Sequence, residues 1–316
     1  MRPHTDVHRV KLNKPDRVHD APEMPNVQAS SRSTGTESLR SERYTARCID
    51  RDRSHRLTFT IRSTLPAMLH TLLAGIRTLV LVPLFFLLTL VFAAVIVIVG
   101  AFRPGASIHD KILKVWSGLF LKIPPVRVEV SGIEKTDPTR RYVVVSNHLS
   151  MYDIPLLLHE LPLHGRYLAK KEVFKIPLVA QAMRTVGIIE VNRQKGGSSR
   201  QAINEGVRVA AERGHSLLVY PEGTRSTEGE LLPFHKGAFR IAIDTNLPIL
   251  PVVIEGTERV SKPGSKIFYP GYASMRILDP IETTGMTNKE DLVPLITRVE
   301  AEMNEVFNAM RQTTDG

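Results

Sequence analysis

Cysteine is almost missing from this chain: Cys48 is the only one in 316 residues. No intramolecular disulfide can form, and no cysteine-based zinc site can be assembled. Cys48 has no local set of catalytic partners, so it is not read as a nucleophile. The lack of disulfides fits a reducing compartment. Two common enzyme signatures are also missing. There is no Gly-x-Ser-x-Gly elbow of a serine hydrolase and no Gly-Lys-Ser/Thr of a Walker phosphate loop. "HELPLH" at 159–164 spaces its histidines one residue too far for a helical zinc pair, and Pro162 interrupts it.

Large apolar residues are sparse over residues 1 to about 62, where Arg, Ser, Thr, Asp and His dominate without a sustained period. That composition predicts a mostly disordered segment. The character changes at Met68, and one expectation is that the native chain starts near there. Residues 1–67 hold 13 Lys and Arg against 8 Asp and Glu, so this tail supplies half of the net charge of +10. The other half lies in the remaining chain. A basic balance points to an anionic partner: a membrane surface, a phosphorylated substrate or nucleic acid.

What the chain has in excess is one apolar run. Leu79 to Phe102 carries no charge over 24 residues and is flanked by Arg77 and Arg103. At 1.5 Å per residue this is roughly enough to cross a hydrocarbon core of ~30 Å. It is too long for the apolar region of a signal peptide. A full span and a bent, re-entrant anchor both fit. Residues 108–123 then place Ile112, Leu113, Val115, Trp116, Leu119 and Phe120 near one side, with Lys111, Lys114 and Lys122 elsewhere. That pattern suits an interfacial helix, or an amphipathic helix packed on the core.

Beyond this the chain alternates. Strands are predicted at 126–130, 142–146, 166–170, 188–192, 216–220 and 249–254. Helices are predicted at 154–161, 176–187, 199–212 and over a last stretch where Leu292, Leu295, Ile296, Val299, Met303, Val306, Phe307 and Met310 recur at steps of three and four. Strands separated by helices imply an α/β fold with a mixed, mainly parallel sheet flanked by helices. The organisation is therefore read as a basic tail (1–67), a membrane-anchoring segment (68–107) and an α/β domain (108–312).

In such folds ligands bind beyond the carboxyl ends of strands. "YVVVSNHLSMYD" puts His148 there, with Asp153 five residues on. On one regular helix the two would stand about 140° apart. They meet only if the chain bends between them and a helix starts near Asp153, which Pro155 favours. Asp153 would then accept from one ring nitrogen and leave the other as a base. The alternative is an ordinary helix-start aspartate beside a loop histidine. "VYPEGTRS" (219–226) follows another strand: Gly223 permits close backbone approach, Thr224 adds a hydroxyl, and Arg225 a bidentate cation for phosphate. Glu222 would repel phosphate, so it is read as positioning Arg225 or accepting from a hydroxyl. Arg193 lies just past a strand in "GIIEVNR", and Lys170, Lys171 and Lys236 are further candidate cations.

Four stretches in order, "NHLSMYD", "GIIEVNR", "YPEGTRS" and "LPILPVVI", together resemble the four blocks of the glycerolipid acyltransferases. The similarity is greatest to bacterial 1-acylglycerol-3-phosphate acyltransferases and covers roughly residues 110–260. Glu190 and Asn192 depart from the second block. The resemblance implies that His148 is the general base and Asp153 its partner. It implies that Arg193, Glu222, Gly223, Thr224 and Arg225 bind the acceptor's phosphate, with Asn147 and Pro251 as support. It implies no cofactor, no metal and no covalent acyl-enzyme. The expected reaction moves an acyl group from acyl-CoA or acyl-carrier protein to the sn-2 hydroxyl of a lysophospholipid at the cytoplasmic side of a bacterial inner membrane. No nucleic-acid partner is expected. Another lysolipid acceptor, such as lyso-ornithine lipid, is an alternative. A non-catalytic module that binds anionic lipid or nucleic acid through the tail is the alternative of a different class.

Overall fold

The computed structural model describes residues 72–103, 107–123, 125–191, 196–227, 230–265 and 267–315. The expectations for the tail and for a start at Met68 lie outside these residues. The apolar run forms helix α1 (Leu72–Phe102), which among the described residues is the one helix long and apolar enough to cross a membrane. Helix α2 (Ile108–Leu121) follows.

Seven strands form one sheet in the order β1-β7-β6-β2-β5-β3-β4. They are β1 (Val126–Ser131), β2 (Val143–Ser146), β3 (Gly165–Lys170), β4 (Ile189–Val191), β5 (Ser216–Val219), β6 (Ile249–Glu255) and β7 (Gly271–Ile277). Every neighbouring pair is parallel except β6 and β7. The sheet is thus mixed and mainly parallel, as the alternation predicts. The helices between and after the strands are α3 (Asp153–Glu160), α4 (Pro177–Val186), α5 (Gly196–Glu212), α6 (Gly237–Thr245), α7 (Thr257–Val260) and α8 (Leu292–Asp315).

Strand β2 shows why continuous apolar runs form this sheet. Successive side chains point to opposite faces. Val143 and Val145 face a layer that includes Phe239, Val299, Met303 and Phe307. Val144 faces a second layer that includes Phe120, Tyr152, Leu156 and Leu250. Both faces are covered, so every residue of β2 and β6 is buried.

Helix α1 packs one face along this body. Ala74, Thr78, Ala93 and Ile96 are buried. Phe85 meets Phe120 edge to face at 4.2 Å, and the Trp116 indole N–H donates to Thr89 Oγ1 at 3.1 Å. Arg77 Nη2 donates to the Phe268 carbonyl at 2.9 Å. At the other end, a Cβ on Gly100 would lie 2.3 Å from Thr185 Cγ2, so glycine is what lets α1 reach α4. The opposite face, including Leu79, Val80, Leu87, Ile98 and Phe102, is exposed.

Helix α2 uses Phe120, Trp116, Ile112 and Leu113 inward. Val115, expected on the same side, is exposed. A charge cluster ties α2 to the sheet. Asp110 accepts from buried Arg166 of β3 at 2.6 Å and pairs with His164 at 3.1 Å. Arg166 Nη2 also donates to His215 Nε2 at 2.8 Å. His215 is pushed down to about 4, first by burial and then by Arg166, so it stays neutral and accepts.

Candidate active site

The central strand β2 lies between β5 and β6, and the carboxyl ends of all three converge on His148. The chain leaves β2 and is fixed at once by Asn147, which is fully buried. Its amide donates to the Ile254 carbonyl and accepts from the Ile254 N–H, both at 2.8 Å. This reciprocal pair anchors the turn to β6.

After His148 the chain bends, and α3 begins at Asp153, as the spacing and Pro155 predict. Asp153 is fully buried. A buried carboxylate needs donors to every lone-pair region, and here it has four. Its Oδ2 accepts from the N–H of Leu149 (2.7 Å), the N–H of Ser150 (2.8 Å) and His148 Nδ1 (2.8 Å). Its Oδ1 accepts from the Thr257 hydroxyl, just past β6. The bond from Nδ1 orients the ring and leaves Nε2 as the nitrogen that can face a substrate. The His148 side chain keeps 12% exposure.

The segment after β5 wraps the same histidine. The ring of Tyr220 stacks on the imidazole, with centroids 3.9 Å apart and planes inclined by 10°. Tyr220 and Tyr167 join their hydroxyls at 3.1 Å, and Tyr167 donates onward to the Ile154 carbonyl. Gly223 has φ of 71°, a left-handed conformation that favours glycine. Thr224 and Arg225 are exposed beside it. The Ser226 N–H donates to the His148 carbonyl at 3.0 Å, which locks the loop to the histidine.

Glu222 differs from the expectation that it faces the acceptor's phosphate. It is buried. One carboxylate oxygen accepts from the His148 N–H at 2.8 Å and the other from the Leu232 N–H at 3.0 Å. Burial pushes its pKa up to about 7, against the pull of these two backbone donors. The sequence pattern placed Glu222 beside Arg225, but its carboxylate is taken up by two backbone N–H groups, while Arg225 is exposed. Pro251 sits inside β6, paired with Val145 and four residues short of the strand's end. Lys236 is exposed at the start of α6. Lys170 ends β3, and Lys171 follows it. Arg193 lies outside the described residues.

Known proteins give this arrangement its family. An acyltransferase family model matches residues 127–255. The 1-acyl-sn-glycerol-3-phosphate acyltransferase alpha of Ovis aries is 31% identical over 228 residues, which cover 72% of this chain and 78% of that protein. The chain belongs to the glycerolipid acyltransferase family.

The human protein of the same name is also 31% identical, with 72% of this chain and 80% of that one covered. The crystal structure of the 1-acyl-sn-glycerophosphate acyltransferase PlsC from Thermotoga maritima aligns with a TM-score of 0.64 and 27% identity, over 75% of this chain and 98% of that one. This glycerolipid acyltransferase is an O-acyltransferase. Among its residues, Thr257, Tyr220 and Tyr167 were not singled out from the sequence. The rule that found His148 also points to Tyr220, which immediately follows β5, and to Thr257, two residues past β6.

Proposed function

We propose that the chain transfers an acyl group from a thioester, on CoA or on acyl-carrier protein, to the free sn-2 hydroxyl of 1-acylglycerol-3-phosphate, giving phosphatidic acid. The observation that carries this reading is the His148–Asp153 pair: an imidazole whose Nδ1 lies 2.8 Å from a fully buried carboxylate. The names of the relatives supply the acceptor.

His148 Nε2 takes the proton of the acceptor hydroxyl as its oxygen attacks the thioester carbonyl. Asp153 stabilises the imidazolium that forms. The C–S bond then breaks, and the imidazolium returns its proton to the departing sulfur. The products are an ester and a free thiol. Base assistance of this kind contributes typically ~10²- to 10⁴-fold. Gly223, Thr224 and Arg225 bind the acceptor's phosphate, with Arg193 as a further cation. Fixing the phosphate holds the hydroxyl near the base. Glu222 acts from behind by holding the His148 backbone.

The anchor supports a reaction at a membrane surface. Helix α1 is about 46 Å long, and its packed face runs from Ala74 to Gly100. A helix joined to the domain over that length would carry the domain into the bilayer if it stood upright. The arrangement fits an α1 that lies in one leaflet, its exposed apolar face toward acyl chains. The cytoplasmic leaflet of a bacterial inner membrane offers lysolipid from the lipid side and thioester from water.

The test is His148→Ala with purified enzyme in lysolipid-containing micelles. Turnover is expected to fall by at least ~10²-fold with the unfolding transition unchanged. Activity near that of the parent enzyme rejects the assignment of the base.

A further inference from the structure

The ring of Tyr220 lies flat on His148, and the mechanism above gives it no task. We infer that Tyr220 is a positioning residue whose aromatic face stabilises the imidazolium of His148 as it forms, so that it raises kcat and not acceptor affinity. The inference rests on the reading of His148 as general base.

The geometry makes the case. Centroids 3.9 Å apart with planes at 10° put the electron-rich face of the phenol directly against the imidazole. An aromatic face attracts a cation and is nearly indifferent to a neutral ring. The contact therefore strengthens as the base takes its proton, which is the condition for accelerating the chemical step. The stack also fixes the ring plane, while Asp153 orients the ring through Nδ1. Tyr220 is itself held from behind: its hydroxyl meets that of Tyr167, which is tied to the Ile154 carbonyl. Burial pushes the pKa of Tyr220 well up, so it remains a neutral phenol.

Among the described residues, the charged and titratable groups around His148 are these. Asp153 of α3 bonds its ring. Glu222 bonds its backbone N–H. Tyr220 covers one ring face, with Tyr167 behind it. Arg225 follows in the loop bound to its carbonyl through Ser226. Of these, only Tyr220 lies flat on the ring.

Tyr220→Leu, Tyr220→Met and Tyr220→Phe separate the ring face from the hydroxyl. With saturating 1-acylglycerol-3-phosphate and acyl-CoA, kcat is measured from pH 5 to 9. Leu and Met remove the face. They are expected to lower kcat on the neutral plateau about tenfold, from the usual size of such contacts, and to leave the acceptor KM within about twofold. Loss of cation stabilisation lowers the histidine pKa, so the acid limb moves to lower pH. Phe retains the face and should keep both the limb and most of kcat. The inference is overturned if Leu and Met keep the parent kcat and limb, if Phe falls as far as they do, or if the loss is equal at every pH. His148→Ala, assayed alongside, distinguishes the two readings: an active His148→Ala removes the base itself, whereas an inactive one with a silent Tyr220→Leu removes only the stack.

Discussion

At the scale of single residues, the site is built by saturating a buried carboxylate and leaving one nitrogen unsaturated. Asp153 has four donors, so both its oxygens are hydrogen-bonded where water is excluded. Glu222 shows the opposite balance. It has two backbone donors, and burial outweighs them, raising its pKa from 4.5 to about 7. In the folded chain Glu222 therefore holds its proton more tightly than in the unfolded chain. Between about pH 4.5 and 7 the folded state binds more protons, and its stability falls as pH rises through that window. Glu222→Gln cannot titrate. Urea unfolding of the detergent-solubilised enzyme from pH 5 to 8 should show a steeper loss in the parent than in Glu222→Gln. Parallel curves would remove Glu222 as the source.

At the scale of elements, the pair Asp110–Arg166 ties helix α2 to the sheet. Arg166 is buried, and burial lowers its pKa while Asp110 opposes that shift. Removing one partner leaves a charge without compensation. Asp110→Ala is expected to destabilise the fold by about 3–5 kcal/mol, measured as the shift in the unfolding transition. A change below about 1 kcal/mol would mean that His215 and the carbonyls of Val186 and Gly165 suffice for Arg166.

Some elements were legible and others were not, for physical reasons. β2, β5 and β6 are buried on both faces, so their apolar runs are continuous and plain. The last helix repeats its apolar positions over many turns. β7 was missed because its buried residues are Ala273, Met275 and Ile277, with Tyr272 exposed before them and half-buried Ser274 and exposed Arg276 between them. Only alternate positions carry signal, and Ala is weak. α6 was missed although it is longer than the predicted α3; it opens on Gly237, a poor helix former. In the site, the pairing of His148 with Asp153 could be read because both lie in one short stretch. Thr257, more than a hundred residues on, could not be paired with Asp153 without the sheet order.

At the scale of the whole molecule, the packing of α1 along the domain decides how the enzyme meets the bilayer. In a Cys48→Ser background, Leu72→Cys and Arg103→Cys mark the two ends of α1. If α1 lies in one leaflet, an impermeant maleimide should reach both cysteines from the same side of sealed vesicles. Labelling of the two ends from opposite sides would show a helix that crosses.

The pair proposed to move the proton lies within residues 148–153, whereas Thr224 and Arg225, proposed to grip the acceptor with Arg193, belong to the loop after β5. Grafting that loop between relatives, with Glu222 and Ser226 retained, should therefore exchange head-group preference while leaving the chemical step intact. Descendants of such a chain could diversify their lipid products by editing one surface turn.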